Sequence, residues 1–447
     1  MKKNIVLASL CLVYHQTGIS RADHVVWFPV PETPTPELLT EPLTLERALE
    51  AAMHNRSILH ALDQTIKARK SSELEALSGY LPKFSLNSLI SQSQKQLSGQ
   101  LSFKKHQQFF NFEQLLYSFA GPLEQYQINQ FDTMIARLQR DLRQDTVQFE
   151  VERNFLTLYS MLSKQKAIVA LDSAAQTQFR RAQVQNNVQL LNADEWYKER
   201  AVHATARFIV DSYQNDCEKI AAALQRSVET PLLTPLNVAS AKNFIRATIA
   251  QADAHPLDFY IHNAFAYRKE LAIQDEEIEQ SKAQMRFYQR AYLPKFSIFT
   301  TVENGAISVP SSFWLLGIKI SWEFDGLSNV YKAEETKAVV QSAIMAKKDT
   351  EQAIALEVQT AYLDLQKLIK QLRAAYEELE RDRIIFRTKK KQHEIGELAT
   401  PDYTGAQKEW ENAQFSVTDL ETNVAIKQRE LLYTCGYPHQ TPPNEIG

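Results

Sequence analysis

The sequence predicts a mainly α protein with a small β part. Long coiled-coil helices carry four membrane-crossing strands in each protomer, and the whole is an internal duplication. Three observations predict this. The hexapeptide Tyr80-Leu81-Pro82-Lys83-Phe84-Ser85 recurs as Tyr292-Leu293-Pro294-Lys295-Phe296-Ser297, 212 residues on. Its upstream neighbours repeat in register, with Leu45 over Leu257, Arg56 over Arg268 and Leu59 over Leu271. A repeat of that kind constrains the fold before any local propensity does. Each hexapeptide also marks a change of period: helical spacing through Leu45, Ala48, Leu49, Ala52, Leu59, Leu62 and Ile66 gives way to alternation at Phe84, Leu86 and Ile90. Finally, Trp314, Leu316, Ile318, Ile320, Trp322 and Phe324 form one unbroken apolar strand face.

Residues 1–22 read as a secretory signal, with Lys2 and Lys3 ahead of an apolar run from Ile5 to Tyr14 and cleavage expected after Ala22. Residues 23–42, with five prolines, read as an extended leader. The first repeat spans 43–230. It opens with a helix to about Gly79, and Thr44 is its expected cap. At Pro82, as at Pro294, proline removes a helical N–H donor and pushes the residue before it towards extended geometry, so both prolines are strand-entry residues. A hairpin covers 84–119. Gly121-Pro122 then starts a helix to about Val188, proline being tolerated in a first turn. Its seam runs through Ile128, Phe131, Ile135, Leu138, Leu142, Phe149 and Leu156, interrupted by Asp145 and Glu152. After Leu191-Asn192-Ala193 a further helix runs to about Gln225.

Residues 231–256 read as an irregular linker. The second repeat, 257–435, follows the same plan, with a hairpin over 296–324 and a long helix ending at Gly396. In that helix Ile354, Val358, Ala361, Leu365, Leu368, Leu372, Ala375 and Leu379 alternate steps of four and three. A last helix runs from about Pro401 to Thr434, and 436–447 form a tail. Two helices of about 35 residues laid end to end match one of about 69, roughly 105 Å at 1.5 Å per residue. The tip turns then lie at one end of the long helices and the hairpins at the other.

The strand face of Trp314 to Phe324 suits a tilted bilayer crossing, with aromatics at its ends. Four strands cannot close a barrel. An open edge in lipid leaves N–H and C=O groups unpaired at several kcal/mol each. Strands seated in lipid therefore need other copies of the chain to complete them.

Composition fits this picture: 447 residues, 44% apolar, only 11 glycines and a net charge of −3. That charge carries no nucleic-acid footprint. Cysteines 11, 217 and 435 have no metal spacing and make no disulfide framework. The sequence contains no phosphate loop, zinc-protease motif or serine elbow, so it points to no enzyme and no cofactor.

The duplication, the two Tyr-Leu-Pro-Lys-Phe strand entries, the turn Gly396-Glu397-Leu398-Ala399-Thr400-Pro401-Asp402 and the ending Cys435-Gly436-Tyr437-Pro438 resemble the TolC-like outer-membrane factors of bacterial efflux and type I secretion. The likeness covers about residues 43–438. It implies a homotrimer whose twelve strands close one barrel in the outer-membrane lipid above a periplasmic helical tunnel. It further implies a periplasmic adaptor and an inner-membrane transporter as partners, and passive conduction of drugs, small molecules or proteins to the exterior. Gly396, Leu398, Ala399 and Thr400 fall on the family's adaptor-docking positions. Leu191, Asn192 and Ala193 hold the corresponding first tip, where Gln189 replaces the glycine. Asp402 falls on the first acidic position of the family's periplasmic gate, and Gly405 occupies the second. Without the resemblance, the second turn also reads as a good helical hairpin and Asp402 as a helix-start aspartate favoured by the macrodipole. A secreted or surface coiled-coil trimer without a pore is the competing function.

Overall fold

Pro82 and Pro294 each stand between the end of a helix and the start of a strand. The computed structural model describes residues 43–94, 102–190, 192–229, 236–252, 255–306, 311–323, 326–395, 397 and 400–436. Helices α1 (Leu45–Asn55) and α2 (Ser57–Ser78) lead to strands β1 (Lys83–Gln94) and β2 (Ser102–Ser118), then to α3 (Pro122–Asn187) and α4 (Ala193–Val228). Helix α5 (Val238–Gln251) follows. The second repeat then gives α6 (Leu257–Tyr267), α7 (Lys269–Arg290), β3 (Lys295–Ala306), β4 (Ser311–Ser321), α8 (Ser328–Glu394) and α9 (Thr400–Thr434). The signal and leader segments lie outside the described residues.

The structure departs from the sequence reading in two places. The linker expected to be irregular contains α5, started by Asn237, whose side chain accepts from the Ser240 N–H at 3.1 Å. Its buried stripe is Ala241, Ile245 and Thr248. The first helix of each repeat is also not continuous. It breaks at Arg56 (φ −64°, ψ 109°) and at Arg268 (φ −63°, ψ 118°).

The arginine side chains explain why both breaks fall at the same repeat position. Arg56 donates to the carbonyl of Arg226 in the last turn of α4, and Arg268 donates to the carbonyl of Thr434 at the end of α9, at 2.9 Å. A cation there meets the negative end of a helix dipole. Each guanidinium also meets a carboxylate of the long helix, Glu150 at 3.4 Å and Glu357 at 2.9 Å.

The long helices are realised as expected. Helix α3 packs against α1 and α2 over one part of its length and α4 over another, and α8 packs likewise against α6, α7 and α9. The alternating seam of α8 is buried at Ile354, Val358, Ala361, Leu365, Leu372 and Ala375. Two core clusters result, one around Val147, Val151, Phe155, Leu156 and Leu224, the other around Val358, Leu365, Val424 and Leu431.

The two acids that interrupt the α3 seam bridge the repeats. Asp145 accepts from Lys269 Nζ at 2.6 Å, and Glu152 takes a two-point contact from Arg429 at 2.8 Å on each oxygen. Cys435 is buried in the second core, and burial pushes its thiol up to about 12, so it serves as an inert packing residue.

Candidate functional site

The four strands form one antiparallel sheet in the order β1-β2-β3-β4. Side chains alternate between faces along a strand, and directly paired residues share a face. The pairs Phe84↔Phe112, Phe112↔Thr300 and Thr300↔Leu316 therefore lie on one face, as do Leu86↔Phe110, Phe110↔Val302 and Val302↔Trp314. Ile298↔Ile318 and Phe296↔Ile320 extend it. A bulge between Leu115 and Tyr117 keeps Tyr117 opposite Phe296 on that face. The predicted face of β4 is exposed here, with Trp314 at 72% and Ile318 at 70%. Trp322, just past the strand, donates from Nε1 to the carbonyl of Tyr292 at 2.7 Å, which ties it to the strand-entry turn. Phe324 lies outside the described residues.

The opposite face mixes the two kinds of side chain, with Ser85, Asn87, Asn111, Glu113 and Glu303 standing among Phe109, Phe299, Phe313 and Leu315. Glu113 accepts from Ser297 Oγ at 3.1 Å and pairs with Lys319 Nζ at 3.4 Å, and Asn111 reaches Ser85 Oγ at 3.4 Å. Gly317 lies opposite Phe299, whose ring comes within 3.0 Å of where a Cβ would stand. Strands β1 and β4 are the sheet's outer members, each with one edge unpaired by the sheet. The sheet therefore leaves two outer edges without a strand partner and one apolar face exposed.

The tips occupy the other ends of the long helices. After α3, Gln189 takes a left-handed conformation (φ 56°), and the Leu190 N–H closes back on the Gln185 carbonyl at 2.9 Å. After α8, the Glu397 N–H closes on the Gln392 carbonyl, also at 2.9 Å. The two bonds occupy equivalent positions, 207 residues apart, and both have the i→i−5 spacing of a glycine-type helix end. Gln189 therefore does at the first tip what the sequence assigns to Gly396 at the second, at the steric cost of a Cβ. Gln189→Gly should stabilise the protein by about 1 kcal/mol, read as a raised melting temperature; an unchanged or lowered value would contradict the strain at this turn.

Of the sequence-predicted tip residues, Asn192 and Ala193 are exposed at the start of α4, and Thr400 is the first helical residue of α9. Asp402 is exposed in the first turn of α9. Leu191, Gly396, Leu398 and Ala399 lie outside the described residues.

An aromatic ladder behind each tip escaped the sequence reading. At the second tip Phe386 stacks on Trp410 (4.9 Å between centroids) and Tyr403 (5.8 Å), and His393 stacks on Tyr403 (4.8 Å). At the first, Phe179 stacks on Trp196 (5.5 Å) and His203 (4.6 Å). The pairs Phe179/Phe386, Trp196/Tyr403 and His203/Trp410 each stand 207 residues apart. The offset that aligned the turns would have found them. The ladders hold α3 to α4 and α8 to α9 just before the chain reverses, so the turn residues are presented on a stiff support.

Residues 260–436 match the outer membrane efflux protein family. None of the curated proteins matches the chain. Among solved structures, CusC, described as forming a transmembrane channel, is similar with a TM-score of 0.70 at 13% identity, covering 92% of this chain and 98% of its own. The Campylobacter jejuni outer membrane channel CmeC gives 0.70 at 14% identity over 88% of this chain and 85% of its own. The open state of the Neisseria gonorrhoeae outer membrane channel MtrE gives 0.65 at 13%, over 88% and 89%.

Proposed function

We propose, for a chain whose second repeat belongs to the outer membrane efflux protein family and whose whole fold is that of the TolC-like outer-membrane factors, that it is the exit duct of a tripartite export system. It is a channel protein rather than an enzyme, seated in the outer membrane with its helices in the periplasm. The observation that carries the duct reading is the sheet: continuously apolar and exposed on one face, with polar and ion-paired side chains among apolar ones on the other, and with no strand partner at either outer edge. Seated in lipid, such a sheet is satisfied by closing with copies of itself around an aqueous lumen. Three copies, twelve strands, is the closure proposed. Substrates pass through it without energy from the duct itself, handed on by a periplasmic adaptor and an inner-membrane transporter.

Adaptor docking is assigned to the tips: Gly396, Leu398, Ala399 and Thr400 at the second, and Leu191, Asn192 and Ala193 at the first. The aromatic ladders and the matched closing bonds at Leu190 and Glu397 support a built, paired surface there. Leu398→Glu or Gly396→Arg should abolish export in cells while trimers still assemble in the outer membrane. Normal export from either variant would remove the docking role.

The gate is assigned to Asp402, three copies of which would meet around the axis and favour cations. Because Gly405 holds the second position, one acidic ring makes the constriction rather than two. Asp402→Ala should reduce cation preference in planar bilayers several-fold, Coulomb attraction in a narrow low-dielectric mouth being the source of that preference. Unchanged selectivity would return Asp402 to a helix-start role.

A further inference from the structure

The duplication lets one junction of the molecule stand as a template for another. Within a copy, α3 of the first repeat packs against α7 and α9 of the second. Three side chains of α3 meet them in line: Asp145 receives Lys269, Phe149 stacks on Tyr433 at 5.0 Å, and Glu152 receives Arg429. Leu138 and Leu156 extend the same stripe at helical spacing. Downstream of the strands the repeats are offset by 207 residues, which carries the stripe onto Met345, Gln352, Leu356, Gln359 and Leu363 of α8. Helix α8 packs on α6, α7 and α9, all of its own repeat. Its stripe is accordingly bare. Leu363 is 56% exposed where Leu156 is 0%, and Met345, Gln352, Leu356 and Gln359 are exposed as well.

The partners of the α3 stripe have counterparts too. Lys269 corresponds to Ser57 at the upstream offset of 212, and Arg429 and Tyr433 correspond to Ala222 and Arg226. All three counterparts are exposed in a single copy. The ion pairs have vanished as pairs: Asp145 with Lys269 becomes Gln352 with Ser57, and Glu152 with Arg429 becomes Gln359 with Ala222. An acid or a base left alone in a buried seam keeps its desolvation penalty, so wherever two such positions meet, both charges must go together. In one copy these positions do not meet, because α4 packs on α1 and α3. We infer that the α8 stripe seats the first repeat of a second copy, with α4 and α2 lying on it in the register that α9 and α7 take on α3. Gln359 then faces Ala222 of the next copy, and Gln352 faces its Ser57. The occupant is a second copy because the surface that matches the stripe belongs to this chain. The two faces differ, so the contact runs head to tail and closes as a ring. The seam rests on the three-copy closure proposed above and gives that closure a helical contact besides the sheet edges.

The test uses the full-length chain with Cys217→Ser, carrying Ala222→Cys and Gln359→Cys together or singly, treated with a short bismaleimide in outer membranes. The double variant should give covalent dimers and trimers, and neither single variant should. Charge then checks the register. Gln359→Glu should lower the trimer fraction about 10-fold on dilution in detergent, and adding Ala222→Arg should restore it by transplanting the Glu152–Arg429 pair to the seam between copies. Trimers that give no cross-link from the double variant, that cross-link through a single cysteine, that assemble normally with Gln359→Glu, or that are not recovered by Ala222→Arg would overturn this seam while leaving the three-copy duct in place. A parental chain that stays monomeric would overturn both.

Discussion

Replacing Arg429 by leucine should cost about 3–5 kcal/mol of stability, read as a large fall in the unfolding midpoint of the purified protein. Glu152, whose carboxylate receives Arg429, is 1% exposed on α3, and Arg429 comes from α9 of the other repeat. The guanidinium also lies 5.8 Å from the Phe244 ring of α5, so one side chain joins three elements. A charge buried that deeply is tolerable because a planar fork meets both of its oxygens. Without that fork the carboxylate keeps its desolvation penalty and loses the attraction that offset it. The double substitution Glu152→Leu with Arg429→Leu separates this account from simple loss of packing. It should recover most of the stability, since an apolar pair of similar volume avoids the desolvation cost. A single substitution costing less than about 1 kcal/mol, or a double one no better than the single, would show that this ion pair does not join the repeats.

That pair also marks where the sequence stopped being legible. The duplication could be read because it repeats the letters themselves, and the helix lengths, the two strand entries and the apolar face of β4 because each depends on residues near one another in the chain. Proline acts on its own neighbours, and a seam is a matter of spacing. Asp145 and Glu152, by contrast, looked like defects in a coiled-coil stripe, because their partners Lys269 and Arg429 lie in the other repeat. Long-range pairing of that kind leaves no local trace. The breaks at Arg56 and Arg268 belong between these cases. The arginines were visible as a repeated pair, but their role required the far ends of α4 and α9 to be in place. At the tips, Gln189 lacked the glycine that signals a left-handed turn, yet the backbone adopts one there (φ 56°). Helix phasing on both sides determined that turn more strongly than the residue did.

Gly436→Ala should be comparably damaging. Gly436 ends α9 with φ 73°, and a Cβ built there would stand 2.7 Å from both the carbonyl carbon and oxygen of Tyr267 and 2.9 Å from the Arg268 nitrogen. Those are backbone atoms of the second repeat's helix break, which cannot rotate away as a side chain would. The substitution therefore combines left-handed strain with displacement of the segment that positions Arg268, and about 3 kcal/mol or more is expected. The first repeat solves the same junction differently. Glu229, 207 residues earlier, also takes a left-handed conformation (φ 52°), and its carboxylate accepts the Ser57 N–H at 2.9 Å, just past the Arg56 break. A side chain is thus useful at one junction and excluded at the other. Gly405→Ala supplies the opposite control, because it sits within α9 with open space around a new Cβ. It should stabilise the helix by up to about 1 kcal/mol. Thermal unfolding of the two variants should move in opposite directions, with Gly436→Ala falling far below the parent. Gly436→Ala unfolding at the parental temperature would mean that the end of α9 does not press on the Tyr267–Arg268 backbone in the folded protein.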